Sequence, residues 1–124
     1  MEQLILHLIG DYVTQTDWMA KYKTRHIGVA MIHVTVYTLP FLLLSPSMLA
    51  LAVIFVTHVL IDRYRLARYV IYAKNKLTEP GLRWENASKT GFHNEAPQWL
   101  AVWLSIIVDN TMHLTINYAA LRWL

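Results

Sequence analysis

The stretch IGVAMIHVTVYTLPFLLLSPSMLALAVIFVTHVLI, residues 27–61, decides the fold of this chain because it contains no Lys, Arg, Asp or Glu. A spanning helix needs about 17–25 apolar residues, so this run is too long for one span. Ser45-Pro46-Ser47 interrupts it with a turn signal. We therefore predict two membrane-spanning helices joined by a short connection.

The remainder of the chain extends this prediction. Hydrophobic residues make up 56% of the sequence and charged residues 15%, whereas a typical soluble domain is about 25% charged. A length of 124 residues fits one membrane-embedded helical domain, residues 1–124. We predict an all-α, four-helix transmembrane bundle with one longer polar cytoplasmic loop at 74–97. The helices are expected at about 2–22, 27–44, 46–74 and 96–123.

The basic residues predict the orientation in the membrane. The first and third connections hold almost all of them, the second holds none, and the C-terminal end holds Arg122. Cytoplasmic connections are enriched in Lys and Arg. We therefore expect a multi-pass membrane protein, with connections 1 and 3 in the cytoplasm and both termini outside. This distribution resembles membrane topology and not a nucleic-acid surface, so no nucleic-acid partner is expected.

A repeated His/Asp spacing marks the candidate site. Three pairs are separated by four residues within apolar segments, namely His7/Asp11, His58/Asp62 and Asp109/His113. On a helix this spacing places both side chains on one face, one turn apart. Ionisable groups inside apolar helices are costly and usually mark a functional site. With His33 in the second helix, we predict that these groups converge on a polar interior.

A divalent metal is the first candidate for what binds there. The predicted ligands are His7, Asp11, His33, His58, Asp62, Asp109 and His113. Imidazole and carboxylate donors suit one or two ions of Zn, Mn, Fe or Ni, and so many imidazoles do not suit Ca²⁺. The chain has no Cys, which excludes thiolate ligands and disulfides. Some members of the set could orient ligands rather than bind, and His/Asp hydrogen bonds that join helices are the alternative explanation.

The same residues carry a resemblance to a known family. One pattern runs from His7-x-x-Gly10-Asp11 through Gln15-Thr16-Asp17-Trp18-Met19-Ala20 to Lys23. It continues with His33, Tyr37-Thr38, Thr57-His58-x-x-Ile61-Asp62 and Asp109-x-x-x-His113. This pattern resembles that of a small bacterial and phage membrane-protein family, domain of unknown function 3307. The resemblance implies a helical, multi-pass protein of the bacterial inner (cytoplasmic) membrane and no particular activity. More distantly, the His/Asp pattern is similar to inner-membrane proteins predicted to be metal-dependent hydrolases.

The leading functional hypothesis is a metal-dependent hydrolase. The metal would activate water and polarise the scissile group. No Glu lies inside the apolar helices, so an aspartate or a metal hydroxide would serve as base, with Asp62 preferred as nearest the cytoplasmic side and Asp11 second. The expected substrate is a phosphoester or lipid-linked phosphate that enters from the headgroup layer. Five basic residues, which we call the basic set, could attract this anionic substrate or could only determine the orientation in the membrane. They are Arg63, Arg65, Arg68, Lys74 and Lys76.

Two further hypotheses assign no catalysis. The chain could be a metal-ion carrier, a proton pathway or a membrane protein with a structural metal, because intramembrane His and Asp also mark ion routes. It could instead be an interaction protein, in which loop Lys74–Pro97 with Trp84 and Phe92 acts on a partner and the His/Asp core only holds the fold. The lipid bilayer is a partner in every case. A homodimer would cover polar groups that four helices leave facing lipid.

Overall fold

A computed structural model describes all 124 residues and shows an all-helical fold. Helices contain 76% of the chain, there are no strands, and six α-helices occur where four were expected. They are α1 (Glu2–Leu8), α2 (Asp17–Tyr22), α3 (Ile27–Thr38), α4 (Met48–Tyr64), α5 (Ala67–Thr78) and α6 (Gln98–Trp123).

The expected helix at 2–22 is interrupted. After α1 the chain forms a π-helical turn, Ile9–Val13, and the amide of Thr14 bonds to the carbonyl of Ile9 five residues back. The Thr14 hydroxyl donates to the Gly10 carbonyl at 2.9 Å. Thr16 is extended and caps α2 by accepting from the Met19 amide, so a new helix begins there. A π-helical turn of this kind often accompanies a functional site.

The expected helix at 46–74 is also interrupted. Arg65 adopts a left-handed backbone with a φ of 52°, which a right-handed helix cannot contain, so α4 ends at Tyr64 and α5 begins at Ala67. In the expected helix at 27–44, a 3₁₀ segment, Leu39–Leu44, continues α3. Pro40 lies at its start and has no amide hydrogen to continue the α-helical bonding. The last helix begins at Gln98, close to the expected boundary.

Two helical stretches are long and apolar enough to cross a membrane, Ile27–Leu44 and Gln98–Trp123. The all-helical prediction is confirmed, whereas length and composition identify two candidate spans where the prediction had four.

The chain divides into two compact units. The first contains Met1–Tyr64 with His113–Leu124, and the second contains Arg65–Met112. The first unit has an apolar core in which Tyr37, Phe41 and Ile54 are fully buried. Gly10 brings the N-terminal helical segment against α3, since a Cβ there would lie 2.6 Å from Tyr37 Cδ2 and 3.0 Å from the Tyr37 carbonyl oxygen. Only glycine permits this approach, which places Asp11 beside α3.

The second unit is held by polar and aromatic contacts between α5 and the polar segment that follows. Tyr72 donates to the Leu82 carbonyl at 3.1 Å, and Asn75 donates to the Gly91 carbonyl at 3.0 Å. The Trp84 ring stacks on Tyr69 with centroids 4.9 Å apart. These contacts give the polar segment a defined structure, including a short 3₁₀ turn at Trp84–Asn86.

Candidate metal centre

Four buried side chains of the first unit converge on one point. Asp11 comes from the π-helical turn, His33 from α3, and His58 and Asp62 from α4. The two histidines are at most 1% exposed, and each aspartate is 6% exposed. One donor atom from each residue lies within 4.8 Å of the others. Four of the seven predicted ligands, all in the first unit, therefore form one compact donor cluster.

The donor atoms are regularly spaced. His33 Nε2 lies 3.1 Å from Asp11 Oδ1, 3.2 Å from Asp62 Oδ2 and 3.3 Å from His58 Nε2. His58 Nε2 lies 3.2 Å from Asp62 Oδ2 and 3.5 Å from Asp11 Oδ1. Five of the six donor–donor distances thus fall between 3.1 and 3.5 Å.

This spacing fits a tetrahedral metal. Bonds of about 2.0–2.1 Å to imidazole nitrogen and carboxylate oxygen at tetrahedral angles put neighbouring donors about 3.3–3.4 Å apart. The Nδ1 atoms of His33 and His58 are buried without a hydrogen-bond partner, so both rings direct their interactions through Nε2. Two carboxylates and two neutral imidazoles also carry a total charge that one divalent ion neutralises. The residues present therefore fit such an ion in spacing, donor type and charge.

His7 reaches the cluster through Asp11. Its Nε2 lies 3.8 Å from Asp11 Oδ2, the carboxylate oxygen that does not join the four donors. Its Nδ1 lies 2.9 Å from the Tyr37 hydroxyl. The Asn117 amide donates to that hydroxyl oxygen at 2.6 Å, which leaves the Tyr37 hydroxyl hydrogen available to His7 Nδ1. Donation from the hydroxyl to Nδ1 would leave the proton of a neutral His7 ring on Nε2, facing Asp11.

His113 contacts the other carboxylate in a similar way. Its Nε2 lies 3.5 Å from Asp62 Oδ1, while Asp62 Oδ2 faces the cluster. The His113 ring also stacks on the His58 ring with centroids 4.0 Å apart. Each aspartate therefore presents one oxygen to the four-donor cluster and the other to a further histidine, as in metal sites where an outer partner orients a ligand.

Lys23, which follows α2, places a cation against the same donors. Its Nζ lies 2.7 Å from Asp62 Oδ2, 3.4 Å from His33 Nε2 and 4.0 Å from Asp11 Oδ1. The lysine side chain is 15% exposed and approaches from the connection between α2 and α3. Arg63 of α4 donates to the Thr24 carbonyl and fixes this connection beside the cluster. The centre thus combines two carboxylates with one nearby ammonium group.

The predicted ligands consequently differ in their positions. Asp11, His33, His58 and Asp62 form the cluster, and His7 and His113 lie behind its two carboxylates. Asp109 lies one turn before His113 on α6, is partly buried, and belongs to the second unit. Whether any of the seven binds a metal stays a prediction.

The sequence interpretation missed three residues of the centre. Tyr37 and Asn117 each follow a site histidine by four residues, after His33 and His113, so the helical spacing that revealed the pairs also marks them. Lys23 is part of the family pattern, but it has no four-residue spacing to a site histidine or aspartate. It lies in a basic connection, where positive charge was attributed to topology.

Comparison with known proteins identifies the family. No curated protein and no solved structure matches the chain, so the more distant likeness to predicted membrane hydrolases gains no support. The family profile described as protein of unknown function (DUF3307) matches residues 1–121, which include every residue of the candidate centre. The chain therefore belongs to the DUF3307 family.

Proposed function

We propose that this chain is a membrane metalloprotein that holds one divalent ion between Asp11, His33, His58 and Asp62, and that the ion serves the hydrolysis of a phosphoester. The observation that carries the proposal is the set of five donor–donor distances between 3.1 and 3.5 Å. Helix-joining hydrogen bonds alone do not require four donors from three segments to surround one point.

Zinc is the ion that the spacing favours. Octahedral ions with bonds of about 2.0–2.1 Å, such as Mg²⁺, bring neighbouring donors to about 2.8–3.0 Å, shorter than the distances observed. Structural zinc sites are built mainly from Cys, whereas catalytic sites use His with Asp or Glu. This chain has no Cys, and its cluster contains two histidines and two aspartates. The donor types therefore resemble those of catalytic sites, which usually have three protein ligands, whereas here a water would bind as a fifth ligand beside four side chains.

The chain's own residues would divide the work of hydrolysis. A zinc ion held by these four side chains would polarise a phosphoryl oxygen and would acidify a water that binds as a fifth ligand. His33 and His58 hold the donor geometry from two different helices. Asp62 would accept the water proton at Oδ1, the oxygen outside the four-donor cluster, which lies 3.5 Å from His113 Nε2. Asp11 is kept in place by His7, which is itself oriented by the Tyr37 hydroxyl.

Membrane insertion is part of the proposal. In the candidate span Gln98–Trp123 only 11% of the apolar window is buried, so most of its apolar side chains are at least partly exposed, as they would be toward lipid. The contact of Arg63 with Thr24 puts the end of α4 and the start of α3 at the same end of the first unit. We propose that this end of the first unit, with its basic residues, faces the cytoplasm of a bacterial inner membrane.

The basic set is used largely within the structure. Arg65 and Arg68 donate to the carbonyls of Lys89 and Ser88, and Lys76 donates to the Leu82 carbonyl at 2.8 Å. These contacts stabilise the polar segment of the second unit. Attraction of an anionic phosphoester from the headgroup layer is a second role that we propose for the same charges, because a bonded guanidinium keeps its charge.

The first test measures metal content. Protein purified in detergent is equilibrated with buffered zinc, and bound metal is determined by inductively coupled plasma mass spectrometry. We expect about one equivalent in the wild-type protein and in the His93→Ala control, and almost none after combined His58→Ala and Asp62→Ala substitution. His93 is a suitable control because it lies in the polar segment and its side chain is 41% exposed.

A second measurement separates hydrolysis from ion transport. In the first assay, the zinc-loaded protein is incubated with a chromogenic phosphodiester, and its hydrolysis is followed. In the second assay, the protein is reconstituted into liposomes that contain a zinc-sensitive dye, and zinc entry is followed. Turnover that disappears in the double variant supports the hydrolase. Zinc flux without turnover would support an ion pathway instead, and metal binding with neither activity would leave a structural metal. Absence of metal in the wild-type protein would contradict the proposal as a whole.

A labelling experiment tests the proposed orientation. Because the natural chain has no Cys, single cysteines can be introduced without background. We expect a membrane-impermeant maleimide to label Leu124→Cys in intact spheroplasts and Glu79→Cys only after lysis. Labelling in the reverse order would invert the proposed topology.

A further inference from the structure

We propose that Lys23 is a tethered counter-ion that occupies the centre when the metal is absent and leaves when the metal binds. This inference rests on the proposed metal site and concerns its regulation. It assigns a role to a residue whose charge would otherwise belong only to membrane topology.

The contacts of the ammonium group are the first argument. Lys23 Nζ lies against three of the four donors: Asp62 Oδ2 at 2.7 Å, His33 Nε2 at 3.4 Å and Asp11 Oδ1 at 4.0 Å. These are the atoms whose lone pairs a metal would take. A divalent ion bound to the same donors would stand next to a positive charge in a buried environment, where repulsion is weakly screened.

The charge of the centre is the second argument. Asp11 and Asp62 together carry a charge of −2, and neutral His33 and His58 add none. One divalent ion makes this set neutral, whereas a divalent ion together with the Lys23 ammonium leaves a net charge of +1. Burial of uncompensated charge is costly, so the metal and the ammonium exclude each other.

The position of Lys23 allows such an exchange. The residue follows α2, a helix of only six residues, and its connection to α3 is held from α4 by the Arg63 contact with the Thr24 carbonyl. The lysine side chain is 15% exposed, whereas the four donors lie deeper. Its flexible methylene chain can move the ammonium toward solvent without moving a helix. The exchange therefore needs a side-chain rotation and no refolding.

Zinc affinity provides the test. Affinities of the detergent-purified wild-type protein, Lys23→Gln and the control Lys21→Gln are measured by competition with a chromophoric chelator. Lys21 is a matched control because it is an exposed lysine on α2. We expect Lys23→Gln to bind zinc at least tenfold more tightly than the wild-type protein and Lys21→Gln to bind like it. Equal or weaker binding by Lys23→Gln, with zinc bound by the wild-type protein, would overturn the exchange and leave the proposed function standing.

A labelling readout on the wild-type protein does not depend on the variants. Lysines are acetylated with a water-soluble reagent, with and without zinc, and quantified by mass spectrometry. We expect zinc to increase labelling of Lys23 several-fold and to leave Lys21 unchanged; unchanged Lys23 labelling in zinc-loaded protein would overturn the exchange. If only Lys23→Gln binds zinc, the exchange is supported, but the proposal that the wild-type protein holds a metal is contradicted. If none of the three proteins binds zinc, both proposals are overturned.

Discussion

Two His/Asp pairs with the same sequence spacing behave differently in this molecule. In His58/Asp62, on the regular helix α4, both side chains enter the cluster, with His58 Nε2 3.2 Å from Asp62 Oδ2. In His7/Asp11, the aspartate enters and the histidine stays behind it at 3.8 Å, with its Nδ1 directed to Tyr37. A π-helical turn begins between His7 and Asp11 and changes their relative direction. The same sequence spacing therefore predicts that a histidine and an aspartate lie close together, but it does not predict which of their atoms enter the donor cluster.

The largest expected effect on zinc affinity is that of replacing Asp62, the carboxylate that α4 contributes to the donor cluster. Asp62→Asn removes a charged donor and leaves a buried amide in its place, so we expect zinc affinity to fall on the order of 1000-fold, equivalent to about 3–5 kcal/mol. Chelator competition measures the change. Asp17→Asn, on the exposed side of α2, is the control and should bind zinc like the wild-type protein. Affinity within tenfold of wild type for Asp62→Asn would remove this residue from the centre.

The second prediction concerns the approach that brings Asp11 into the cluster. In Gly10→Ala the new methyl group would meet Tyr37 Cδ2 at 2.6 Å and the Tyr37 backbone at 3.0 Å, so we expect a loss of about 1–3 kcal/mol in the free energy of unfolding. Gly28→Ala is the matched control, since nothing lies within 4 Å of its new methyl group. Thermal unfolding in detergent should show a lower midpoint for Gly10→Ala only. Equal midpoints for the two variants would contradict the close packing of the π-helical turn on α3.

The third prediction compares the two histidines directly. His7→Gln removes a group that orients a donor, so we expect zinc affinity to fall about 10–100-fold with the stoichiometry unchanged. His58→Gln removes a donor and should lower the stoichiometry itself. Metal content at saturating zinc distinguishes these outcomes. Loss of stoichiometry in His7→Gln would make His7 a ligand, and the two pairs would then be equivalent.

Much of this centre could be predicted from the sequence, because in any regular helix two residues four positions apart lie on the same face. It identified Asp11, His33, His58 and Asp62 among its seven candidates, and it identified helices over most of the chain. The breaks could not be predicted. The apolar pattern of residues 2–22 continues through the π-helical turn, and that of residues 46–74 continues through Arg65. The left-handed backbone of Arg65 has no sequence signal, because arginine usually favours helices. Lys23 escaped prediction because its role depends on tertiary packing.

The smallest predicted effect tests the contact chain behind His7. Tyr37→Phe removes the hydroxyl that joins His7 Nδ1 at 2.9 Å to the Asn117 amide at 2.6 Å. We expect zinc affinity to fall less than tenfold, equivalent to about 1 kcal/mol for one hydrogen bond. In a His7→Gln background the same substitution should have no further effect on affinity. Additive losses in the double variant would show that Tyr37 acts on the centre independently of His7.

The coordination of zinc in the loaded protein tests the central claim most directly. X-ray absorption spectroscopy at the zinc edge reports the number, type and distance of the bound atoms. We expect four nitrogen and oxygen neighbours at about 2.0–2.1 Å, with outer-shell scattering from two imidazole rings. Removal of His58 should reduce that scattering to one ring. A six-coordinate shell of oxygen atoms without imidazole scattering would contradict the assignment of His33 and His58 as donors.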